Sequence, residues 1–133
     1  MLPVTRREAR ERALSLLYEA ETKGVAPPVV LKELPVPPDP FAAGLVAGVG
    51  DRCPEIDRLI EDHAIGWALD RMPAVDRSVL RMAVYELLAA PDVPIAVVLS
   101  EAVEIASSYS TEESGRFVNG VLASVAAEVR QPA

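Results

Sequence analysis

Thiol and imidazole chemistry have little to draw on in this chain of 133 residues, which holds one cysteine, Cys53, and one histidine, His63. A lone cysteine forms no internal disulfide, and no second ligand stands at zinc-like spacing from it, so the composition points to a reduced cytoplasm. Aromatic residues are scarce at 5%, which leaves Ala, Val and Leu to build the core. No window approaches the ~18 uninterrupted apolar residues that a bilayer span needs. Charges from Arg6 onward, with no apolar run behind them, also do not fit a signal peptide. The sequence therefore reads as neither exported nor membrane-inserted. Phosphate-cradling loops are missing as well: seven glycines are scattered, and GLVAGVG fits neither the dinucleotide nor the P-loop spacing.

What remains is a soluble helical composition, half apolar and a quarter charged, at the usual size of one domain. Ala9, Ala13, Leu16, Leu17 and Ala20 recur at helical steps, and Thr5 with Glu8 has the spacing of a capping box, predicting a helix over 5–22. Six prolines between residues 24 and 41 remove backbone donors, so that stretch reads as a connector with one short helix at most. Asp39 before Pro40 predicts the start of the next helix, with Gly50 at its end. A further helix is expected from Cys53 through Ala68, broken at Met72-Pro73. AVDRSVLRMAVYELLAA is apolar nearly all round, as a central helix is. Pro94 at a first helical position opens PIAVVLSEAVEIASSY, and Ser110 with Glu113 suggests a second capping box before FVNGVLASVAAEVR. The fold class is all-α, with six or seven helices.

Candidates for chemistry are few. His63 in EDHA has no nucleophile motif beside it and is best read as structural. Cys53 at a helix start admits a lowered thiol pKa, although a small residue at a turn is the favoured reading. The acidic pairs Glu112-Glu113, Glu101 with Glu104, and Glu61-Asp62 are the kind that solvated helix faces produce freely. The expectation is no catalysis, no metal and no cofactor.

Charge is distributed unevenly. Arg6, Arg7, Arg10 and Arg12 against Glu8 and Glu11 give residues 1–12 a charge of +2 in a chain of net −7. At about 100° per residue, Arg7, Glu11, Leu14 and Tyr18 fall on one line opposite the alanine stripe, flanked by Arg6 and Arg10. Guanidinium groups beside a displayed ring suit single-stranded nucleic acid, where cations take phosphates and the ring takes a base. Pairing of the arginines with Glu8 and Glu11 and burial of Tyr18 is the plainer alternative.

Four segments, RREARERALSLLYEAE, FAAGLVAGV, VDRSVLRMAVYELL and VPIAVVLSEAVEIASSYSTEESGRFVNGVL, resemble in order the NusB family of transcription antitermination factors. The resemblance implies two small helical bundles in a single domain over 1–133, divided near residue 70 into halves 1–70 and 71–133. It implies binding of single-stranded boxA RNA from ribosomal RNA operons together with NusE, a small-subunit ribosomal protein, and assembly with NusA, NusG and RNA polymerase. Carried over by position, Arg6, Arg7 and Arg10 hold phosphates, Tyr18 and Phe117 offer rings to bases, and Arg116 and Glu113 stand alongside. Phe117, at the edge of its helix stripe, is equally compatible with the core. Asp76, Arg77 and Glu86 are the implied partner-facing residues, acids meeting a basic protein. Replacing Arg7 and Arg10 together is then expected to weaken RNA binding while leaving folding intact.

Residues 24–40 depart from the more helical connection usual in the family, and monomer and homodimer both stay open. Two alternatives accompany this reading. One is a protein-binding helical adaptor, which needs no exposed Tyr18; the other is a NusB-like module related to ribosomal RNA methyltransferases, for which a chain ending at Ala133 has no room.

Overall fold

Thr5 begins the ordered architecture. In the computed structural model, which describes residues 3–130, its hydroxyl accepts from the Glu8 amide at 3.0 Å while Glu8 accepts from the Thr5 amide at 3.0 Å. This reciprocal cap starts α1 (Arg6–Lys23), as the spacing predicts. Gly24 ends it at φ 67, a left-handed conformation that costs a residue without a Cβ nothing.

The proline-rich connector contains α2 (Pro27–Glu33), one short helix starting on two prolines. Asp39 caps α3 (Pro40–Asp51) through the Phe41 amide, and the helix passes Gly50 by one residue. α4 (Cys53–His63) stops five residues before the expected end. Ala64 leaves helical geometry and Gly66 takes φ 84, which turns Ile65 and Trp67 out into solvent before a single 3-10 turn at Leu69–Arg71.

α5 (Ala74–Ala89) packs against α1, α3, α4, α6 (Ile95–Tyr109) and α7 (Glu112–Val129), the central position its all-round apolar pattern predicts. Gly48 of α3 lets the two backbones approach, since a Cβ there would lie 2.1 Å from the Tyr85 ring. Pro94 stands at the N-cap of α6 rather than at its first helical position. The start of α7 also differs from expectation: Thr111, not Ser110, is the cap, accepting from the Ser114 amide at 3.0 Å. Glu113 is thereby freed of a capping role and lies exposed. Seven α-helices and no strand make up the described residues.

Candidate nucleic-acid interface

The three candidate arginines of α1 have three different surroundings. Arg6 is exposed, has no carboxylate partner among the described residues, and places its guanidinium carbon 4.1 Å from the centre of the Phe41 ring. Arg7 is partly covered; its Nε donates to Glu101 at 3.2 Å and its Nη2 contacts both Glu101 and Glu104. Arg10 is 4% exposed and donates to Glu86 through Nε at 2.9 Å and Nη2 at 2.8 Å, with Nη1 on Glu101 at 3.3 Å. The expectation of a row of open cations therefore needs correction. α1 is covered by α2, α3 and α5, so its buried arc is wider than one stripe and takes in Arg10 and also Leu14.

Two of the three partner-facing candidates are likewise placed inside. Glu86 is 2% exposed and spent on Arg10. Asp76 is 3% exposed, with Oδ1 meeting no donor; burial pushes its carboxyl above the ordinary range, and the hydroxyls of Ser114 and Ser110 offset part of that rise. Arg77 donates to the carbonyls of Leu69 at 3.0 Å and Met72 at 2.8 Å and to Glu21 at 3.1 Å, tying the 3-10 turn to α5 and α1. Asp76 and Glu86 do not present their charged groups at the surface as partner-facing residues must, whereas Arg77 is partly covered and lines an open cleft. An apolar helical pattern interrupted by single charges conceals such buried pairs, because the sequence does not show which helices meet.

Rings, by contrast, are open. Tyr18 is 47% exposed and lines a groove of about 370 Å³ with Tyr109 and Val75, and the Tyr109 hydroxyl donates to Glu11 at 3.1 Å. A second groove of about 180 Å³ is lined by Trp67, Met72, Pro73, Glu113 and Phe117. In it the Trp67 and Phe117 rings meet edge to face at 6.1 Å. The grooves adjoin at the start of α5, where Val75 lines one and Pro73 the other. Phe117 packs on the core with one side and lines the groove with the other. Arg116 beside it is exposed, without a carboxylate partner among the described residues.

Trp67 and Tyr109 escape the sequence reading. Trp67 falls within the helix expected through Ala68, although Gly66 beside it is a stop signal; Tyr109 sits at the end of α6, where a stripe loses its cover. His63 is a clip between helices, 2.6 Å from the Ser124 hydroxyl and 3.0 Å from Glu128. Burial and Asp57 push the Cys53 thiol up rather than down, against a reactive role. Among the described residues no group of three His, Cys, Asp or Glu is arranged to hold a metal ion, and no helix is long and apolar enough to cross a membrane.

A fold built of helices, with open rings in two grooves and exposed arginines that lack carboxylate partners among the described residues, defines a helical recognition module. The model of the NusB family matches residues 7–127. The transcription antitermination protein NusB of Acidothermus cellulolyticus is 51% identical over 128 residues, covering 92% of this chain and 87% of that protein. Among solved structures, NusB of T. maritima superposes with a TM-score of 0.85 at 36% identity, over 96% of this chain and 94% of that one. A crystal structure of the antitermination factors NusB and NusE in complex with dsRNA gives 0.78 at 30% identity, over 92% and 96%. The chain belongs to the NusB family.

Proposed function

We propose that this chain is a transcription antitermination protein that binds single-stranded boxA-type RNA of ribosomal RNA operons together with NusE, and joins NusA, NusG and RNA polymerase without performing catalysis. The relatives that carry the antitermination name support the transcriptional role, and the solved assembly of NusB and NusE with dsRNA supports NusE and RNA as partners. The observation that carries the reading here is the open Tyr18 ring on the arginine helix, which a plain protein adaptor does not require.

Bases stack on Tyr18 and Phe117, extended by Tyr109 and Trp67, while phosphates meet Arg6 and Arg116 directly. Arg10 serves from within by fixing α1 to α5. Glu113, on the rim of the second groove, faces base edges rather than phosphates. The acidic remainder of the molecule repels RNA everywhere but this end and attracts a basic ribosomal protein. Arg77 sits in a cleft of about 570 Å³ with Glu21, Glu61 and Asp70, and those acids, rather than Asp76 or Glu86, are the ones that NusE can reach.

A gel shift with boxA RNA at two salt concentrations, with and without NusE, tests the reading. Binding should fall steeply with salt, tighten with NusE, and lose about 1–3 kcal/mol in Tyr18→Ala with no change in melting temperature. Absence of RNA binding both with and without NusE overturns it.

A further inference from the structure

Arg7 is the arginine of this corner whose fork is already filled at the surface. Its Nε and Nη2 both address Glu101, and Nη2 also meets Glu104. Two parallel donors on one anion is the geometry in which a guanidinium grips phosphate. Glu101 and Glu104 lie three residues apart on the face of α6 that turns toward α1, so their oxygens occupy the place that phosphate oxygens need.

Exposure sets how firmly. The side chains of Arg7, Glu101 and Glu104 are 34%, 21% and 57% exposed, whereas Arg10 and Glu86 are 4% and 3% exposed. A pair open to water opens and closes readily. The buried pair stays shut.

We propose that Glu101 and Glu104 are specificity-determining residues that stand in for RNA phosphate on Arg7, so that charge alone does not open the site. This rests on the RNA-binding reading above. A strand whose bases stack on Tyr18 and Tyr109 holds its own phosphates near Arg7 at high local concentration and displaces the two glutamates. A polyanion without bases has no such anchor and must compete with them unaided. The acid pair thus converts a patch that would take any polyanion into one that needs rings and phosphates together.

The experiment compares boxA RNA with inorganic polyphosphate, which offers phosphates without bases. Four forms are titrated at low salt: the unaltered protein, Glu104→Gln, Arg7→Ala and the double variant. Glu104 is exposed and its ion pairing among the described residues is with Arg7 alone, so its substitution leaves the fold in place. Glu104→Gln should tighten polyphosphate about fivefold and RNA about twofold, and both gains should vanish in the Arg7→Ala background. A gain that persists without Arg7 is a general field effect and overturns the proposal, as does no gain for either ligand. If the unaltered protein binds RNA and Glu104→Gln changes nothing, the gate falls and the RNA reading stands. If no form binds RNA yet polyphosphate tightens through Arg7, the acid pair still screens Arg7 from polyanions, but the RNA reading falls and the role in RNA specificity falls with it.

Discussion

Arg7 and Arg10 lie one turn apart on α1 and share Glu101 as a partner, yet they do opposite work. Around Arg7 water reaches every member of the pair, and the attraction is about as large as the entropy spent in holding the side chains. Around Arg10 water is excluded, and Glu86 depends on Arg10 while Arg10 has besides it only the longer contact to Glu101. A partly solvated guanidinium can be lent to a ligand. A buried one cannot be, because leaving Glu86 unpaired costs more than a phosphate returns.

The contrast breaks first at Glu86. Glu86→Ala leaves Arg10 buried with only the longer contact to Glu101, and should cost about 3–5 kcal/mol of stability, read as a lower urea midpoint at unchanged slope. Arg10→Met combined with Glu86→Leu should recover most of that loss, since the pair contributes by avoiding an orphaned charge rather than by net attraction. The expectation that Arg7 and Arg10 can be removed together without harm to folding fails here, at Arg10. A midpoint for Glu86→Ala equal to that of the unaltered protein would show the pair to be solvated and erase the distinction.

Much of the fold is legible in the sequence because its signals are local. The Thr5–Glu8 box, Asp39 before Pro40 and the all-round apolar pattern of α5 each depend on residues within a few positions of one another. The α7 cap was misplaced by one residue, since Ser110 and Thr111 are both competent acceptors and only the backbone turn selects between them. The site was less legible. Glu86 and Arg10 are 76 residues apart, and no periodicity reports which helices bring them together. Tyr18 could be placed outward from the helix stripe, while Trp67 could not, because its exposure follows from where α4 ends. Charge totals single out the α1 end of the molecule but do not show which arginines are already paired.

Asp76 sharpens the comparison with a buried carboxylate that has no cationic partner among the described residues. Its raised pKa means that the folded state favours the protonated acid. The stability it contributes is therefore fully present below the ordinary Asp value near pH 4 and is lost as pH rises through the folded value. Asp76→Asn should then stabilise the protein near neutrality. Relief of the desolvated charge, worth about 1–3 kcal/mol, outweighs the lost attraction to the α5 N-terminus, about 0.3–1 kcal/mol. The expected net gain is about 1 kcal/mol near pH 7, shrinking toward zero below about pH 4. A gain that instead grows on acidification would assign Asp76 an unseen cationic partner.

The smallest effect lies at Arg7 itself. Glu101 and Glu104 raise the guanidinium pKa further, and Arg7 in turn holds the Glu101 carboxyl below its usual range. That stabilisation is present above the ordinary Glu value near pH 4 and disappears as pH falls through the lowered one. Because all three side chains are partly solvated, Arg7→Ala should cost no more than about 1 kcal/mol in low salt and less in high salt, where the pair is screened. Thermal melts of Arg7→Ala and the unaltered protein at two salt concentrations measure it. A loss comparable to that of Glu86→Ala would mean that Arg7 is a structural clamp like Arg10, and α1 would then keep only Arg6 and Arg12 to offer to phosphate.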